Sequence, residues 1–430
     1  MTISPWWLLA CAVPVLLLGE FCVRRARWLA RFDVPVPVVG GFIVAAIVLV
    51  LNATGRFPIT INSQTSARWW TWLITAAPQW RGTPPAPPPQ SPIYLPFSTA
   101  FFTCVGLAAS WGVAKRGSWQ LLLFLLLATM LGILQNTLGI LLARAMNVSP
   151  LLGLLCGSVT LTGGPSTALG FSDEFAKAGF PAADTVGAAA AMFGIVCGSL
   201  LGGAIGGTIV RTRGLRDAVA DGAATEQIDK PRQTFFHHAA ALFREPLALL
   251  VHLLLLFACM KAGAWVSLFM KNAGVTFPVY MGAMLTGIFL RNLLDAFRLP
   301  LIRSDVIERI GAVSLGIFLA VAMSSLDLLK LRSLAGPMIV ILSSQVVLTV
   351  LFAFFVTFLI MGRDYDAAVM SAGHVGFGLG ITPNAVATMD VLTAKYGPAP
   401  RALLIVTIVG AFLIDLTNAL TITVYLNLLK

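Results

Sequence analysis

The sequence predicts an all-α polytopic membrane protein with about ten transmembrane helices. Of its 430 residues, 58% are hydrophobic and 11% are charged, whereas soluble proteins carry roughly 25% charged residues. Apolar runs recur along the whole chain, and several reach the roughly 20 residues with which a helix crosses a bilayer. Two further apolar segments, 150–175 and 369–390, are interrupted by glycine, threonine and proline. Each predicts a re-entrant hairpin or a broken helix.

The predicted spans form two groups of five, one in each half of the chain. We place the first repeat at 1–211 and the second at 245–430, joined by a cytoplasmic linker at 212–244. An odd number of spans per half gives the repeats inverted topologies, as in many secondary transporters. The spans are predicted at residues 5–23, 34–51, 97–114, 119–145, 184–210, 246–270, 276–292, 310–329, 334–361 and 402–428.

The basic residues predict the orientation of the chain. Arg24, Arg25, Arg27 and Arg31 follow the first span, and loops rich in Lys and Arg remain in the cytoplasm. Both termini are then expected outside, and most of the 29 Lys and Arg residues lie on the cytoplasmic side. These loops account for the net charge of +11, so we expect no nucleic-acid partner.

Two isolated glutamines support the repeat. Gln135 interrupts an apolar run 28 residues before Gly163, and Gln345 does so 28 residues before Gly373. The equal spacing relates the two interrupted segments and makes both glutamines secondary candidates for the functional site.

The first interrupted segment contains TGGPST at 162–167. Gly163 and Gly164 permit close approach of a ligand to the backbone. Ser166 and Thr167 supply hydroxyls, and Thr162 is a further secondary candidate.

The second interrupted segment contains GHVGFGLGITPN, which offers His374, Thr382 and Asn384. We expect its glycines to break the helix, so that backbone polar groups face a ligand at membrane depth. Helix N-termini attract anions, whereas unwound carbonyls hold cations. Two such breaks near the midplane would bind an anion together with a cation. The glycines are Gly373, Gly376, Gly378 and Gly380.

The last span carries a carboxylate near its middle. Asp415 lies three residues before Asn418, on the same helical face, and an intramembrane carboxylate indicates function. A sodium ion would take oxygen ligands from this pair. The residues alone also leave open a proton carrier or a structural, hydrogen-bonded carboxylate at Asp415. For His374 they leave open substrate contact, proton coupling or a bond to a neighbouring carbonyl.

Gly194, Gly198, Gly202 and Gly206 recur every four residues on the fifth span. This pattern predicts a face for close helix packing, and we expect that face to lie against the interrupted segments. The sequence shows no motif of the common enzyme classes, so we expect a protein that is not an enzyme.

These motifs resemble the bacterial glutamate:sodium symporter (ESS) family over nearly the whole chain. The resemblance is strongest in AGHVGFGLGITPNAVATM, followed by YGPAPRALLIVTIVGAFLIDLTNAL. It is supported by FFTCVGL, LLGLLCGSVTLTGGPSTA, VSLGIFLAVAMSSLDL and GRDYDAAVMSAGH.

The resemblance implies a sodium-coupled importer of glutamate or of a related anionic amino acid or dicarboxylate. It also implies a homodimer in the bacterial inner membrane that works by an elevator-like motion. Asp415 and Asn418 would serve sodium, the implied coupling ion, and no other metal is implied. The implied substrate site is Gly163, Gly164, Ser166, Thr167, Gly373, His374, Gly376, Gly378, Thr382 and Asn384.

The chain departs from the family pattern at two places. Residues 163–167 read Gly-Gly-Pro-Ser-Thr where the family has Gly-Gly-His-Gly-Thr, and residues 373–376 read Gly-His-Val-Gly where it has Gly-His-Cys-Gly. The proline replaces a hydrogen-bonding side chain with a rigid residue that lacks an N–H. The sequence leaves three alternatives open: a proton-coupled transporter of another carboxylate, a passive channel or facilitator, and a membrane receptor or scaffold that binds its ligand but never translocates it.

Overall fold

The computed structural model describes residues 2–26, 34–54, 59–76, 90–110, 112, 119–215, 235–275 and 277–429. The basic residues Arg27 and Arg31 and most of the predicted linker lie outside the described residues.

The described chain is helical almost throughout, as the composition predicts. In the first half the helices are α1 (Pro5–Ala10), α2 (Ala12–Arg25), α3 (Val36–Ala53), α4 (Arg68–Thr71), α5 (Leu95–Ala108), α6 (Trp119–Ala145), α7 (Pro150–Leu154), α8 (Gly164–Lys177) and α9 (Ala183–Arg213). In the second half they are α10 (Phe235–Phe243), α11 (Pro246–Asn272), α12 (Val279–Ala296), α13 (Ser304–Ser324), α14 (Ala335–Phe352), α15 (Phe358–Ile360), α16 (Tyr365–Gly378), α17 (Thr382–Tyr396), α18 (Pro400–Ile408) and α19 (Ile414–Leu428).

Short elements complete the secondary structure. Turns of π-helix lie at Leu155–Val159, Ala353–Thr357 and Val409–Leu413, and 3₁₀ turns at Trp72–Ile74 and Leu328–Leu331. Strand β1 (Thr2–Ile3) pairs in parallel with β2 (Thr60–Ile61), and β3 (Gln64–Thr65) pairs antiparallel with β4 (Ser91–Pro92).

Seven helices of the described chain are long and apolar enough to cross a membrane, which makes the protein polytopic. They are Pro5–Arg25, Val36–Ala53, Trp119–Ala145, Ala183–Arg213, Pro246–Asn272, Ser304–Ser324 and Ala335–Ile360. The bent pair α18–α19, with an angle of 44° between its halves, gives an eighth if it counts as one span.

Apart from the tenth, which corresponds to this bent pair, two of the ten predicted spans do not meet this standard of length and apolarity. The third corresponds to α5, which has only 14 residues. The seventh corresponds to α12, whose last two turns include Arg291, Asn292 and Asp295 and are therefore less apolar.

The helices form two compact units, and each unit takes segments from both halves of the sequence. The first unit comprises the described residues within Met1–Ala26, Pro35–Gly112 and Gln233–Leu329. Glycines bring its helices close together: Gly106 of α5 lies against the backbone of Met284, and Gly263 of α11 against that of Ala283.

The second unit comprises the described residues within Arg27–Val34, Val113–Arg232 and Lys330–Lys430. Its core is built by side chains of α6, α14, α16, α17 and α18, among them Phe124, Phe352 and Phe377. Both interrupted segments, all three π-turns and all predicted site residues belong to this unit.

Candidate functional site

The first break separates α7 from α8, within the predicted segment 150–175. Pro150 lies in the first turn of α7, where a missing N–H costs no hydrogen bond. In the π-turn that follows, Gly157 leaves helical geometry, with φ −96° and ψ −139°. Gly164 then begins α8 with φ +65°, which favours glycine. The predicted interruption is present as a break between two helices.

Two asparagines from other helices hold the backbone of this break. Asn136 Oδ1 in α6 accepts a hydrogen bond of 2.8 Å from the Ser158 N–H. Asn418 Nδ2 in α19 donates one of 3.0 Å to the Ser158 carbonyl. All three side chains are buried. The π-turn exposes backbone groups that an ordinary helix would pair internally, and these amides satisfy them.

Gln135 joins the first break to the second. Its Oε1 accepts a 3.0 Å hydrogen bond from Thr162 Oγ1, just before α8. Its Nε2 donates to the Gly378 carbonyl at 2.8 Å and to Thr349 Oγ1 at 3.1 Å. Gln345 Nε2 donates to the Gln135 backbone carbonyl at 2.7 Å. One fully buried amide thus binds the end of α16 and the start of α8, which makes the secondary candidates part of one network.

The second break lies at Leu379–Ile381, after the first three glycines of the predicted segment rather than at them. The expectation that Gly373 and Gly376 break the helix is wrong, because both lie inside α16. They allow close packing instead. A methyl group at Gly376 would lie 2.6 Å from the Ala385 Cα of α17, and one at Gly373 would lie 2.9 Å from the Met389 sulfur.

The start of α17 is fixed by its own side chains. Thr382 Oγ1 donates to the Gly410 carbonyl in the third π-turn at 2.6 Å. Asn384 Nδ2 donates to the Ile195 carbonyl of α9 at 2.9 Å. Within the described chain, the buried Asn384 Oδ1 has no hydrogen-bond partner.

The two breaks meet at their tips. Gly164, at the N-terminus of α8, faces Ile381, the residue before α17. A methyl group at Gly164 would lie 2.7 Å from Ile381 Cγ2 and 3.6 Å from the Gly380 carbonyl oxygen. Two helix N-termini therefore start beside one another, and each carries a partial positive charge.

The other predicted residues of the first break lie in the first turn of α8. Ser166 is half-buried, and its hydroxyl donates to the Gly163 carbonyl at 3.5 Å. Thr167 is buried and packs beneath Gly163. Pro165 also occupies this first turn, so its missing N–H removes no helical hydrogen bond.

His374 lies in an aromatic enclosure and is fully buried. Its ring stacks on Phe377, with a centroid distance of 5.2 Å, and meets the rings of Phe124 and Phe352 edge-on. Its Nδ1 shares a 2.8 Å hydrogen bond with Thr357 Oγ1, in the second π-turn. Within the described chain, Nε2 has no partner. Apolar rings disfavour a charged imidazolium at this position.

Asp415 is the second residue of α19, which follows the third π-turn directly. It is half-buried, whereas Asn418 one turn later is 4% exposed. Asn418 Nδ2 donates to the Ser158 carbonyl. Asn418 Oδ1 has no hydrogen-bond partner in the described chain.

The glycine face of α9 packs against the second break, as the sequence predicts. A methyl group at Gly194 would overlap the Leu379 carbonyl oxygen, and one at Gly198 would lie 2.9 Å from the Gly376 carbonyl oxygen. Gly202 and Gly206 lie equally close to α16 and α17.

Three residues of the site are absent from the sequence-based prediction: Asn136, Ser158 and Thr349. Asn136 and Thr349 share with Gln135 and Gln345 the only available signal, a polar side chain inside an apolar run. Ser158 gives no such signal, since serine is common in membrane helices.

Comparison with known proteins decides the family. The family model described as sodium/glutamate symporter matches residues 2–70 and 90–398. The chain belongs to the sodium/glutamate symporter family. It is 36% identical over 422 residues to a sodium/glutamate symporter of Haemophilus influenzae, covering 97% of this chain and 96% of the relative. It is 34% identical over 425 residues to those of Escherichia coli and Shigella flexneri, covering 98% of this chain and 96% of each.

Membership of this family makes the protein a transporter and not an enzyme, as predicted. The family match includes both helix breaks and Gln135. The similarity to the named relatives extends over nearly the whole chain.

Proposed function

We propose that this protein couples the entry of sodium to the import of glutamate or of a related anionic amino acid or dicarboxylate. The named relatives are sodium/glutamate symporters, which supports both the ion and the substrate class. The observation that carries the proposal is the meeting of two helix breaks at Gly164 and Ile381. Such breaks are stable at membrane depth only inside protein or beside a polar cavity.

The two adjoining helix N-termini would receive the carboxylates of the substrate. Backbone N–H groups in the first turn of a helix have no intrahelical partner, and the helix dipole favours an anion there. Gly163, Gly164, Ser166 and Thr167 belong to the first such turn, and Thr382 and Asn384 to the second. Gly373, Gly376 and Gly378 would act by letting α16 pack closely.

Asp415 and Asn418 would bind the coupling ion. A sodium ion beside the Asp415 carboxylate would neutralise the site, which lowers the cost of a charge inside the membrane. The aromatic enclosure of His374 argues against a proton carrier at that residue and so favours sodium.

The fold of the proposed transporter is a ten-span inverted repeat with both termini outside and two re-entrant segments. The order of elements supports the repeat, since a long helix, a broken pair and another long segment occur as α6 to α9 and again as α14 to α19. We propose in addition a homodimer in the bacterial inner membrane, with an elevator-like movement.

The proposal is tested by uptake of radiolabelled L-glutamate into proteoliposomes that contain the purified protein. We expect accumulation above equilibrium under an inward sodium gradient and none under a potassium and pH gradient. Unlabelled amino acids and dicarboxylates added as competitors define the substrate class. Accumulation driven by the pH gradient alone would contradict sodium coupling. Movement of glutamate down its own concentration gradient, without any ion gradient, would indicate a facilitator.

A further inference from the structure

The first break holds three buried polar atoms that have no hydrogen-bond partner in the described chain. They are Asn136 Nδ2, Ser158 Oγ and Asn418 Oδ1. The Ser158 and Asn136 side chains are fully buried, and that of Asn418 is 4% exposed. Burying an unpaired polar atom is costly, so three at one place indicate that something binds there.

The two oxygen atoms lie on one side of Gly132 in α6. A methyl group built on Gly132 would be 3.7 Å from Asn418 Oδ1 and 3.8 Å from Ser158 Oγ. The orientation of the Asn418 amide is fixed, because its Nδ2 donates to the Ser158 carbonyl. The oxygens therefore converge on a space that exists because residue 132 has no side chain.

The chemistry of this space suits a small hard cation. An amide oxygen and a hydroxyl oxygen are ligands of such ions, and unwound backbone of a broken helix holds sodium in other transporters. Asp415 lies one turn before Asn418 on the same helical face and supplies negative charge. Asn136 Nδ2 is a donor and no cation ligand, but it can donate to a water molecule that completes the shell of an ion.

We propose that Ser158 Oγ and Asn418 Oδ1 are ligands of the coupling sodium ion, in a site bounded by Gly132. This inference rests on the proposed sodium coupling and adds to it a residue, Ser158, from the first helix break. Sodium would then tie α19 to the break whose tip receives the substrate. Binding of the ion would order the N-terminus of α8 before the substrate arrives.

Ser158→Ala tests this site because it removes only the hydroxyl, which makes no hydrogen bond in the described chain. Replacing an unpaired hydroxyl by hydrogen removes no hydrogen bond, so it does not lower the free energy of unfolding of the protein. We therefore expect the variant to fold with unchanged or higher stability in sodium-free buffer.

The measurement is the thermal unfolding midpoint of the purified protein as sodium chloride replaces choline chloride at constant ionic strength, without substrate. We expect sodium to raise the midpoint of the wild type and to act on Ser158→Ala only at about tenfold higher concentration. Ser172→Ala is the matched control, since the hydroxyl of that buried serine in α8 donates to the Leu169 carbonyl of its own helix. It is expected to respond to sodium like the wild type.

The outcomes separate this site from the proposed function. If sodium raises the unfolding midpoint of Ser158→Ala at the same concentrations as in the wild type, Ser158 is not a sodium ligand, and sodium coupling itself still stands. A wild type that does not respond to sodium, while proton-driven uptake proceeds, would overturn both.

Gly132→Ala is an independent second variant. Its methyl group meets the Ser158 Cβ at 3.4 Å, an ordinary contact, so the fold should accept it. It would crowd the ion without removing an oxygen, and we expect weaker sodium binding again. Gly203→Ala in α9, where the nearest atom would be 3.9 Å away, is the control. Equal sodium affinity in both glycine variants would contradict the placement of the ion.

Discussion

The two helix breaks of the second unit are held in opposite ways. At the first, amide side chains of α6 and α19 reach in to the Ser158 backbone. At the second, Thr382 and Asn384 of the break itself reach out to backbone carbonyls of the third π-turn and of α9. In the described part of the chain, the first break has three unpaired polar atoms, Asn136 Nδ2, Ser158 Oγ and Asn418 Oδ1, whereas the second has Asn384 Oδ1.

Under the proposed function, this difference gives the two breaks different tasks. Ser158 Oγ and Asn418 Oδ1 at the first break lie near Gly132 and would bind the proposed cation. The second is packed tightly by the glycines of α9 and α16 and presents the N-terminus of α17. Gln135 connects them, since its single amide bonds Thr162 at one break and the Gly378 carbonyl at the other. We propose that the linkage between ion and substrate runs through this connection.

Removing the charge of Asp415, one turn before Asn418 in α19, is expected to have the largest effect. Asp415→Asn keeps the size of the side chain but removes the charge that balances sodium. We expect uptake to fall at least about tenfold and the apparent sodium affinity to fall by a similar factor. The exposed Asp390 of α17 provides the control, Asp390→Asn. Normal sodium dependence of uptake in Asp415→Asn would refute the assigned role.

Removing the hydrogen bonds of Gln135 that connect the two breaks is expected to have the second-largest effect. Gln135→Leu leaves the Gly378 carbonyl and the Thr162 hydroxyl without their partner, which costs about 1–3 kcal/mol of unfolding free energy. Gln135→Glu retains an acceptor for Thr162 and loses the donor to Gly378. We expect both to reduce uptake and to weaken the effect of sodium on glutamate binding. If sodium still increases glutamate affinity as in the wild type, Gln135 does not carry the coupling.

Disturbing the packing of the second break is expected to weaken sodium binding less than it weakens substrate binding. Gly194→Ala places a methyl group against the Leu379 carbonyl, and such overpacking typically costs about 1–3 kcal/mol. We expect a higher KM for substrate with little change in sodium binding to the substrate-free protein. Gly203→Ala on the same helix is the control. A change in sodium affinity as large as the change in KM would show that the breaks are not separable.

The smallest effect is expected at the start of α17. Thr382→Val removes one hydrogen bond to the Gly410 carbonyl, worth about 1 kcal/mol. Thermal unfolding should show this modest loss, and uptake should retain its sodium dependence. A complete loss of uptake in a folded Thr382→Val protein would instead indicate direct contact between this hydroxyl and the substrate.

The sequence predicts the helical membrane fold, both interruptions and the packing face of α9, because each follows from a pattern along one segment. The prediction that Gly373 and Gly376 break the helix is wrong for a physical reason. A glycine costs a helix only about 1 kcal/mol, so glycine in an apolar run is equally compatible with a break and with close packing. Ser158 could not be found at all, since its partner Asn418 lies 260 positions away in the chain.

The most direct test of the account is the affinity of the purified wild-type protein for L-glutamate at saturating sodium and in sodium-free potassium buffer. If the two breaks form one coupled site, sodium should tighten glutamate binding about tenfold or more, which corresponds to a coupling free energy of about 1.4 kcal/mol. Equal affinities in the two buffers, with the protein folded in both, would contradict the claim that ion and substrate are bound together.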